Sequence, residues 1–364
     1  MIEILQFALS TNLGGIETYL KKIWDNIDRE KYHFSFIDMT GENRTPCYYD
    51  YFIKTGCTFY KITPRNISIV QNRKDFERLF EEHKFDVLHF SVNTLSYLLP
   101  VSIAIKNGVK VIVHSRCAGL SGRSITKMLH FINKYRLNHM TVERIAVSEQ
   151  AGKWMFDLPY KVYPNGVDTQ RFKYSTKYRN KTRKELDCQD SIVIGHVGTF
   201  TQTKNHVLII NVFENFHKRH IDSVLWLVGD GPLKNNIKDM VNDRGLLNSV
   251  RFLGRREDVE TLYSGMDLFL FPSFKEALGN VVLEAESEGL PCLVSDSIPQ
   301  EILVDDNSKA LSLNDPIEKW TNAIEELLSI NNRREEGYKT IHDAGWSVKE
   351  EVLRLQCLYS SILQ

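Results

Sequence analysis

The sequence carries no excess charge of either sign: 46 Lys and Arg stand against 46 Asp and Glu in 364 residues, which argues against a general nucleic-acid binder. A local patch can still bind anions. Cysteine is sparse, with six residues at 47, 57, 117, 188, 292 and 357 and no C-x-x-C pair, so neither a zinc site nor a disulfide framework is expected. Reduced intracellular thiols are the plain reading. No apolar run reaches the roughly 18 residues of a membrane span, and Met1-Ile2-Glu3-Ile4-Leu5 enters a strand pattern without a basic leader or cleavage signal. A soluble, cytoplasmic protein is therefore expected. The sequence also lacks a D-x-D triplet, a G-x-G-x-x-G dinucleotide fingerprint, internal repeats and low-complexity tracts.

Charge is unevenly placed. Residues 1–170 hold 22 Lys and Arg against 17 Asp and Glu, a net of +5, which leaves −5 for residues 171–364. Between Asp86 and Glu143 lie 56 residues without a carboxylate but with Lys106, Lys110, Arg116, Arg123, Lys127, Lys134 and Arg136. Such a run is either a solvated face or a surface for phosphates or anionic headgroups.

Short β-branched and aromatic runs alternate with helix-like spacings. Ile2–Leu9, His33–Met39, Asp86–Val92, Lys110–Arg116, Arg144–Ser148 and Lys161–Tyr163 form a first series. After the polar stretch Ser175–Asp190 a second follows: Ile192–Val197, Val224–Val228, Val250–Leu253, Leu268–Pro272, Pro291–Ser295 and Ala310–Leu313. Near-continuously apolar strands separated by helices indicate parallel sheets covered on both faces, so two doubly wound α/β domains are expected, facing a central cleft. The last segment, Lys349–Leu363, reads as a helix.

Several strand ends carry polar or glycine-rich loops. Gly14-Gly15 precede a helix read as Thr18–Ile27, where backbone N–H groups can meet an oxyanion, although a tight turn explains the pair equally well. A strand ending at Gly198 runs through a short polar loop to Lys204, an arrangement that can hold a diphosphate; an ordinary loop lysine is the alternative. Gly229-Asp230-Gly231-Pro232 would let a flat ligand approach the backbone, or simply turn the chain. Leu268–Pro272 leads through Glu276 to a helix starting near Gly279, with Glu284 in its second turn. Two carboxylates beside helix amides suit a ligand with both hydroxyls and phosphate.

Taken in order, these stretches resemble retaining glycosyltransferases of family 4, with the GT-B fold, particularly those of bacterial capsule and exopolysaccharide synthesis. The matching segments are Gly14-Gly15-Ile16-Glu17, Asp86-Val87-Leu88-His89, Val113-His114-Ser115, Ala146-Val147-Ser148-Glu149 and Pro164-Asn165-Gly166-Val167-Asp168. They continue with His196-Val197-Gly198, Lys204-Asn205-His206, Val228-Gly229-Asp230-Gly231-Pro232, Phe252-Leu253-Gly254 and the E-x7-E pair Glu276 and Glu284. The resemblance implies an acceptor-binding domain over 1–170, with helix 349–364 packing back on it, and a donor-binding domain over 171–348. The donor is a nucleotide sugar, by analogy a UDP-sugar. Glu284 would meet the ribose and Glu276 the transferred sugar, while Leu278, Gly279, Asn280 and Val281 would offer N–H groups to the sugar and distal phosphate. Lys204 would neutralise the leaving diphosphate, with Gly198 and Thr199 beside it. Gly229, Gly254 and Arg255 would border the nucleotide. From the first domain Gly14 and Gly15 would close on the phosphates and His114 would lie near the sugar. On this reading His114, Lys204 and Glu276 are the catalytic candidates.

The resemblance further implies retention at the anomeric carbon by same-face attack, without a protein nucleophile. The missing D-x-D agrees with lysine and helix amides in place of a metal, so neither metal nor cofactor is expected. The implied acceptor is a polyprenyl-diphosphate-linked intermediate or an oligosaccharide, with His89, Arg116, Arg123 and Lys127 as its candidate contacts and an anionic membrane surface as a peripheral partner; no nucleic acid is expected. Two departures stand out. Thr199 occupies a position that is usually basic, and Glu276-Ala277-Leu278-Gly279 replaces a common Glu-Gly-Leu-Pro. Arg255, Arg256 or a first-domain residue would have to supply the missing charge. Two other readings remain: a nucleotide-sugar 2-epimerase of the same architecture, and a donor-binding scaffold without catalysis.

Overall fold

The computed structural model describes residues 1–7, 9–12, 14–42, 44–119, 124–330 and 334–364. The chain divides into two compact units, Met1–Asn165 with Val348–Gln364, and Gly166–Ser347. The expected boundary at 170 thus moves to Asn165, for a physical reason: the Val167 N–H donates to the Trp346 carbonyl at 2.7 Å and Val167 pairs with Ser347. Burial of Val167 and Phe172 in the second unit's core anchors the crossing segment there.

The first unit contains strands β1 (Ile2–Phe7), β2 (Tyr32–Asp38), β3 (Thr58–Lys61), β4 (Val87–Val92), β5 (Lys110–Ser115), β6 (Glu143–Ala146) and β7 (Lys161–Val162). They form one parallel sheet in the order β3-β2-β1-β4-β5-β6-β7. β3, not among the strands expected from sequence, is a short edge strand whose Thr-Phe-Tyr-Lys has no fully buried residue. The C-terminal helix Val348–Ser361 sets Val348, Val352, Leu355, Leu358 and Tyr359 into this unit's core, a stripe at helical spacing.

The second unit holds β8 (Ile192–Val197), β9 (Ser223–Val228), β10 (Val250–Gly254), β11 (Leu268–Phe271), β12 (Cys292–Ser295) and β13 (Lys309–Leu311), parallel in the order β10-β9-β8-β11-β12-β13. Its central strands are largely apolar because both faces are covered. Trp226 and Val228 of β9 and Phe269 and Phe271 of β11 enter one core, while Leu225, Leu227, Leu268 and Leu270 enter the other. Chain order reverses between β8 and β11, so the loops leaving these neighbours diverge and open a crevice at their carboxyl ends. Among the described residues no helix is long and apolar enough to cross a membrane.

Two glutamates are buried near the end of helix Asn280–Ser287. Glu286 accepts the Val304 N–H at 2.9 Å, and Glu288 accepts the Ser264 hydroxyl. Burial pushes their carboxyl groups up, to about 8 and about 7. The folded state therefore keeps a proton on Glu288 that the unfolded chain releases above pH 4.5, and stability falls as pH rises from there to about 7. Glu288→Gln keeps an acceptor for Ser264 and removes that titration. Its unfolding free energy from urea titration should gain on the native chain as pH rises through this window, by up to about 1.4 kcal/mol per pH unit, and the gap should stop growing above it.

Candidate functional site

The switch point of the second unit collects most of the residues singled out from sequence. β8 ends at Val197, and Gly198 donates its N–H to the Val228 carbonyl at 2.9 Å. The chain then descends through exposed Thr199 into a single 3-10 turn, Gln202–Lys204. Across the switch, β11 leads through Pro272 to Glu276 and the helix Asn280–Ser287, whose N-cap Gly279 takes φ +99. The two loops meet twice. The Phe274 N–H donates to the Thr203 carbonyl at 2.8 Å, and the Lys204 ammonium donates to Glu276 Oε1 at 2.6 Å. Both side chains of that ion pair are less than one-fifth exposed, and Lys204 also lies over the Phe271 ring at 4.7 Å.

The pair has a clear chemical capacity. A half-buried ammonium held by a carboxylate, beside a helix N-terminus, offers fixed positive charge to an anion and a hydroxyl acceptor next to it. Leu278 is buried in the core beneath the loop, which fixes the backbone of the following Gly279 and Asn280. Glu284 accepts the Tyr263 hydroxyl at 3.2 Å through Oε2. Val281, whose carbonyl accepts the same hydroxyl at 3.3 Å, packs against the core.

The glycines mark where backbone approaches backbone. Gly229 has φ +135, and a Cβ there would lie 2.1 Å from the Gly198 carbonyl oxygen. Gly254, at φ +67, has open space in the Cβ direction. Beyond it Arg256 makes a two-pronged bond to Asp258 at 2.7 and 2.6 Å, so its charge is already committed. Arg255 is exposed. The Gly231 N–H, with help from Lys234 and Arg255, holds the Asp230 carboxyl below the usual carboxylate range.

His196, quoted above only as part of a motif, proves central. Its Nδ1 bonds to the Leu270 carbonyl at 2.9 Å, which fixes the proton there and leaves Nε2 a buried acceptor without a partner. That nitrogen lies 2.8 Å from where a Gly198 Cβ would stand. Burial holds His196 and His206 below the ordinary imidazole range, His206 at about 4, so both stay neutral beside Lys204. Among the described residues no group of three or more His, Cys, Asp and Glu could hold a metal ion.

In the first unit Gly14 caps the helix Gly15–Asn26, which starts three residues earlier than expected. The buried Glu17 carboxylate occupies this N-terminus and accepts the Ser10 N–H at 3.0 Å, so a phosphate at Gly15 would share the helix end with a negative group. His114 on β5 is 1% exposed and contacts His89 and Arg116. His89, the expected acceptor contact, is also 1% exposed, with its ring nitrogens bonded to Tyr359 and to His114. Arg116 stacks on the Tyr19 ring at 3.6 Å. Lys127 is exposed on the helix Ser124–Leu137, and Arg123 lies outside the described residues.

With this geometry in hand, comparison with known proteins gives a consistent picture. Residues 178–341, nearly all of the second unit, match the family described as Glycosyl transferases group 1. EpsF of Bacillus subtilis (strain 168), a glycosyltransferase by name, is 27% identical over 379 residues, covering 98% of this chain and 96% of its own. An Escherichia coli enzyme named UDP-Gal:alpha-D-GlcNAc-diphosphoundecaprenol alpha-1,3-galactosyltransferase is 25% identical, covering 89% of this chain and 87% of its own. The crystal structure of Anabaena HepE in complex with UDP superimposes with a TM-score of 0.80 at 18% identity, covering 99% of each chain, which establishes a shared two-unit α/β fold.

The close approach at Gly229 can be tested directly. Gly229→Ala should lower stability by about 2 kcal/mol or more, through strain and the clash with Gly198, whereas Gly254→Asn, in a conformation Asn tolerates, should shift the urea midpoint little.

Proposed function

We propose, from the premise that this chain is a glycosyltransferase of group 1, that it moves a sugar from a UDP-sugar to a polyprenyl-diphosphate-linked saccharide in the synthesis of a bacterial surface polysaccharide. The observation that carries this reading is the Lys204–Glu276 pair at the switch point, next to the N-terminus of helix Asn280–Ser287. The E. coli relative's name supports the UDP donor and the lipid-diphosphate acceptor, and the UDP complex of HepE supports the same nucleotide.

As the bond between sugar and diphosphate breaks, the leaving group gathers negative charge. Lys204 and the amides at Gly279 and Asn280 face that charge, and Glu276 holds the ammonium and accepts a sugar hydroxyl. Glu284 binds the ribose. Transfer proceeds with retention, by attack from the departing side, and the donor phosphate takes the acceptor's proton. The cationic groups do this without a metal. Arg255 rather than Arg256 compensates for Thr199, because Arg256 is bound to Asp258.

The acceptor's lipid calls for a membrane surface, and helix Ser124–Leu137 is built for one. Its inward side carries Leu137 with two polar residues: His130 accepts the Leu95 N–H at 3.1 Å and Asn133 donates to the Leu95 carbonyl at 2.7 Å. Ile125, Met128, Phe131, Ile132 and Tyr135, each at least 50% exposed, fall on one outward arc of about 120° at 100° per residue. Exposed Lys127 and Arg136 flank this arc on either side. An apolar stripe edged by cations suits an interfacial helix at anionic lipid.

Two experiments test the proposal. Lys204→Gln should lower kcat for UDP-sugar turnover about 100-fold to 1000-fold, as loss of one donor from a charge-stabilising site does, with a smaller effect on UDP affinity. UDP that binds calorimetrically without any turnover across UDP-sugars and lipid-linked acceptors would instead favour a non-catalytic binder, a reading that Thr199 motivates. For the membrane, Phe131→Glu with Ile132→Glu should abolish sedimentation with vesicles of phosphatidylcholine and phosphatidylglycerol, and Lys127→Gln should weaken it about fivefold at low salt. Unchanged sedimentation in both variants would remove the interfacial helix from the scheme.

A further inference from the structure

The first unit contains a hydrogen-bonded series of buried side chains that the reaction above does not use. Tyr359, on the C-terminal helix, lies 2.6 Å from His89 Nδ1 through its hydroxyl; His89 Nε2 lies 3.0 Å from His114 Nδ1; and His114 Nε2 lies 3.3 Å from Arg116 Nη1. Tyr359, His89 and His114 are all within 1% of complete burial. The two imidazoles are nearly parallel, with ring centroids 5.2 Å apart and planes at 16°.

The direction of this series is fixed at one end. A guanidinium only donates, so His114 Nε2 must carry a lone pair toward Arg116. The His114 proton is then on Nδ1 and points at His89 Nε2, which must accept. That puts the His89 proton on Nδ1, where it is given to the Tyr359 oxygen. Run the other way, the series would end with a His114 Nε2–H against a guanidinium N–H, donor against donor in a buried place. Neutral rings are needed throughout. Burial first, then Arg116, depresses both histidines, His89 to about 3. Burial likewise raises the Tyr359 phenol above its ordinary range, so it remains protonated.

We propose that His89 and Tyr359 are positioning residues that lock His114 as its Nδ1-protonated tautomer, with the Nε2 lone pair held toward Arg116 as a fixed acceptor. An atom so fixed accepts from a hydroxyl and repels a phosphate oxygen, so a substrate group that replaces Arg116 on it must be a hydrogen-bond donor. The tautomer stands on the geometry of the first unit alone. Only its use on a substrate rests on the transferase reading.

The test has two arms. In the full-length chain with 15N-labelled histidine, long-range 1H–15N correlation at pH 7, assigned with His89→Asn and His114→Asn, should show both residues neutral and protonated on Nδ1. His114 protonated on Nε2, or on both nitrogens, overturns the proposal, and this reading needs no variant to be active. Tyr359→Phe removes the terminal acceptor and should move His89 and His114 toward mixed tautomers. With UDP-galactose as the probe donor, kcat for hydrolysis or transfer should fall about tenfold while KM changes less than twofold. A Tyr359→Phe chain with native tautomers and native kcat overturns the positioning role. The expected tautomers in a chain that turns over no UDP-sugar would uphold the lock and refute the transferase reading instead.

Discussion

The second unit depends on one constraint, the reversal of strand order between β8 and β11. Two adjacent parallel strands whose following chains must leave toward opposite faces cannot cover their own carboxyl ends. The loops there are free to carry function, and here they are tied across the gap by the Lys204–Glu276 pair and the Phe274–Thr203 backbone bond. An ion pair of this kind contributes little to stability once its desolvation is counted. Its value is positional: the ammonium stays where an anion can meet it, and the carboxylate stays where a hydroxyl can.

The same loops are surrounded by groups kept uncharged. His196 and His206 are neutral through burial, so the positive charge of the site is concentrated at Lys204 rather than spread over titrating rings. Tight backbone packing complements this. The contact between Gly229 and the Gly198 carbonyl leaves no room for a side chain, which brings the β8 and β9 loops together as one surface. The first unit applies a similar rule with different residues, burying His89 and His114 as neutral rings and letting one guanidinium set the direction of their protons.

Much of the scaffold was legible in sequence because both sheets are covered on two faces. A strand buried on both sides is apolar at most positions, and Val224–Val228 or Leu268–Pro272 reads so without ambiguity. β3 was not legible, since an edge strand of four residues has neither length nor a buried pattern. Lys204 and Glu276 were each singled out, but their bond spans 72 positions and follows only from strand order. The link between Tyr359 and His89 spans 270, and nothing in local spacing joins a C-terminal helix to β4. Helix Ser124–Leu137 shows a different limit: an amphipathic pattern marks a helix without saying which side faces inward, and here polar His130 and Asn133 are buried with Leu137 while Ile125, Met128, Phe131, Ile132 and Tyr135 are outside.

That inversion carries a thermodynamic argument. Burying His130 and Asn133 is tolerable because the Leu95 backbone satisfies them, and the His130 ring also stacks on Trp154 at 4.2 Å. Exposing five large apolar side chains on one arc has no such local compensation; at about 25 cal/mol per Å² each forgoes on the order of 1 kcal/mol or more of burial. Scattered apolar residues on a surface need no explanation, but a contiguous arc flanked by cations does. A surface that receives both the apolar arc and the charge recovers what folding alone leaves unused, and a bilayer with anionic headgroups has both properties. The interfacial role proposed for this helix rests on that unrecovered burial.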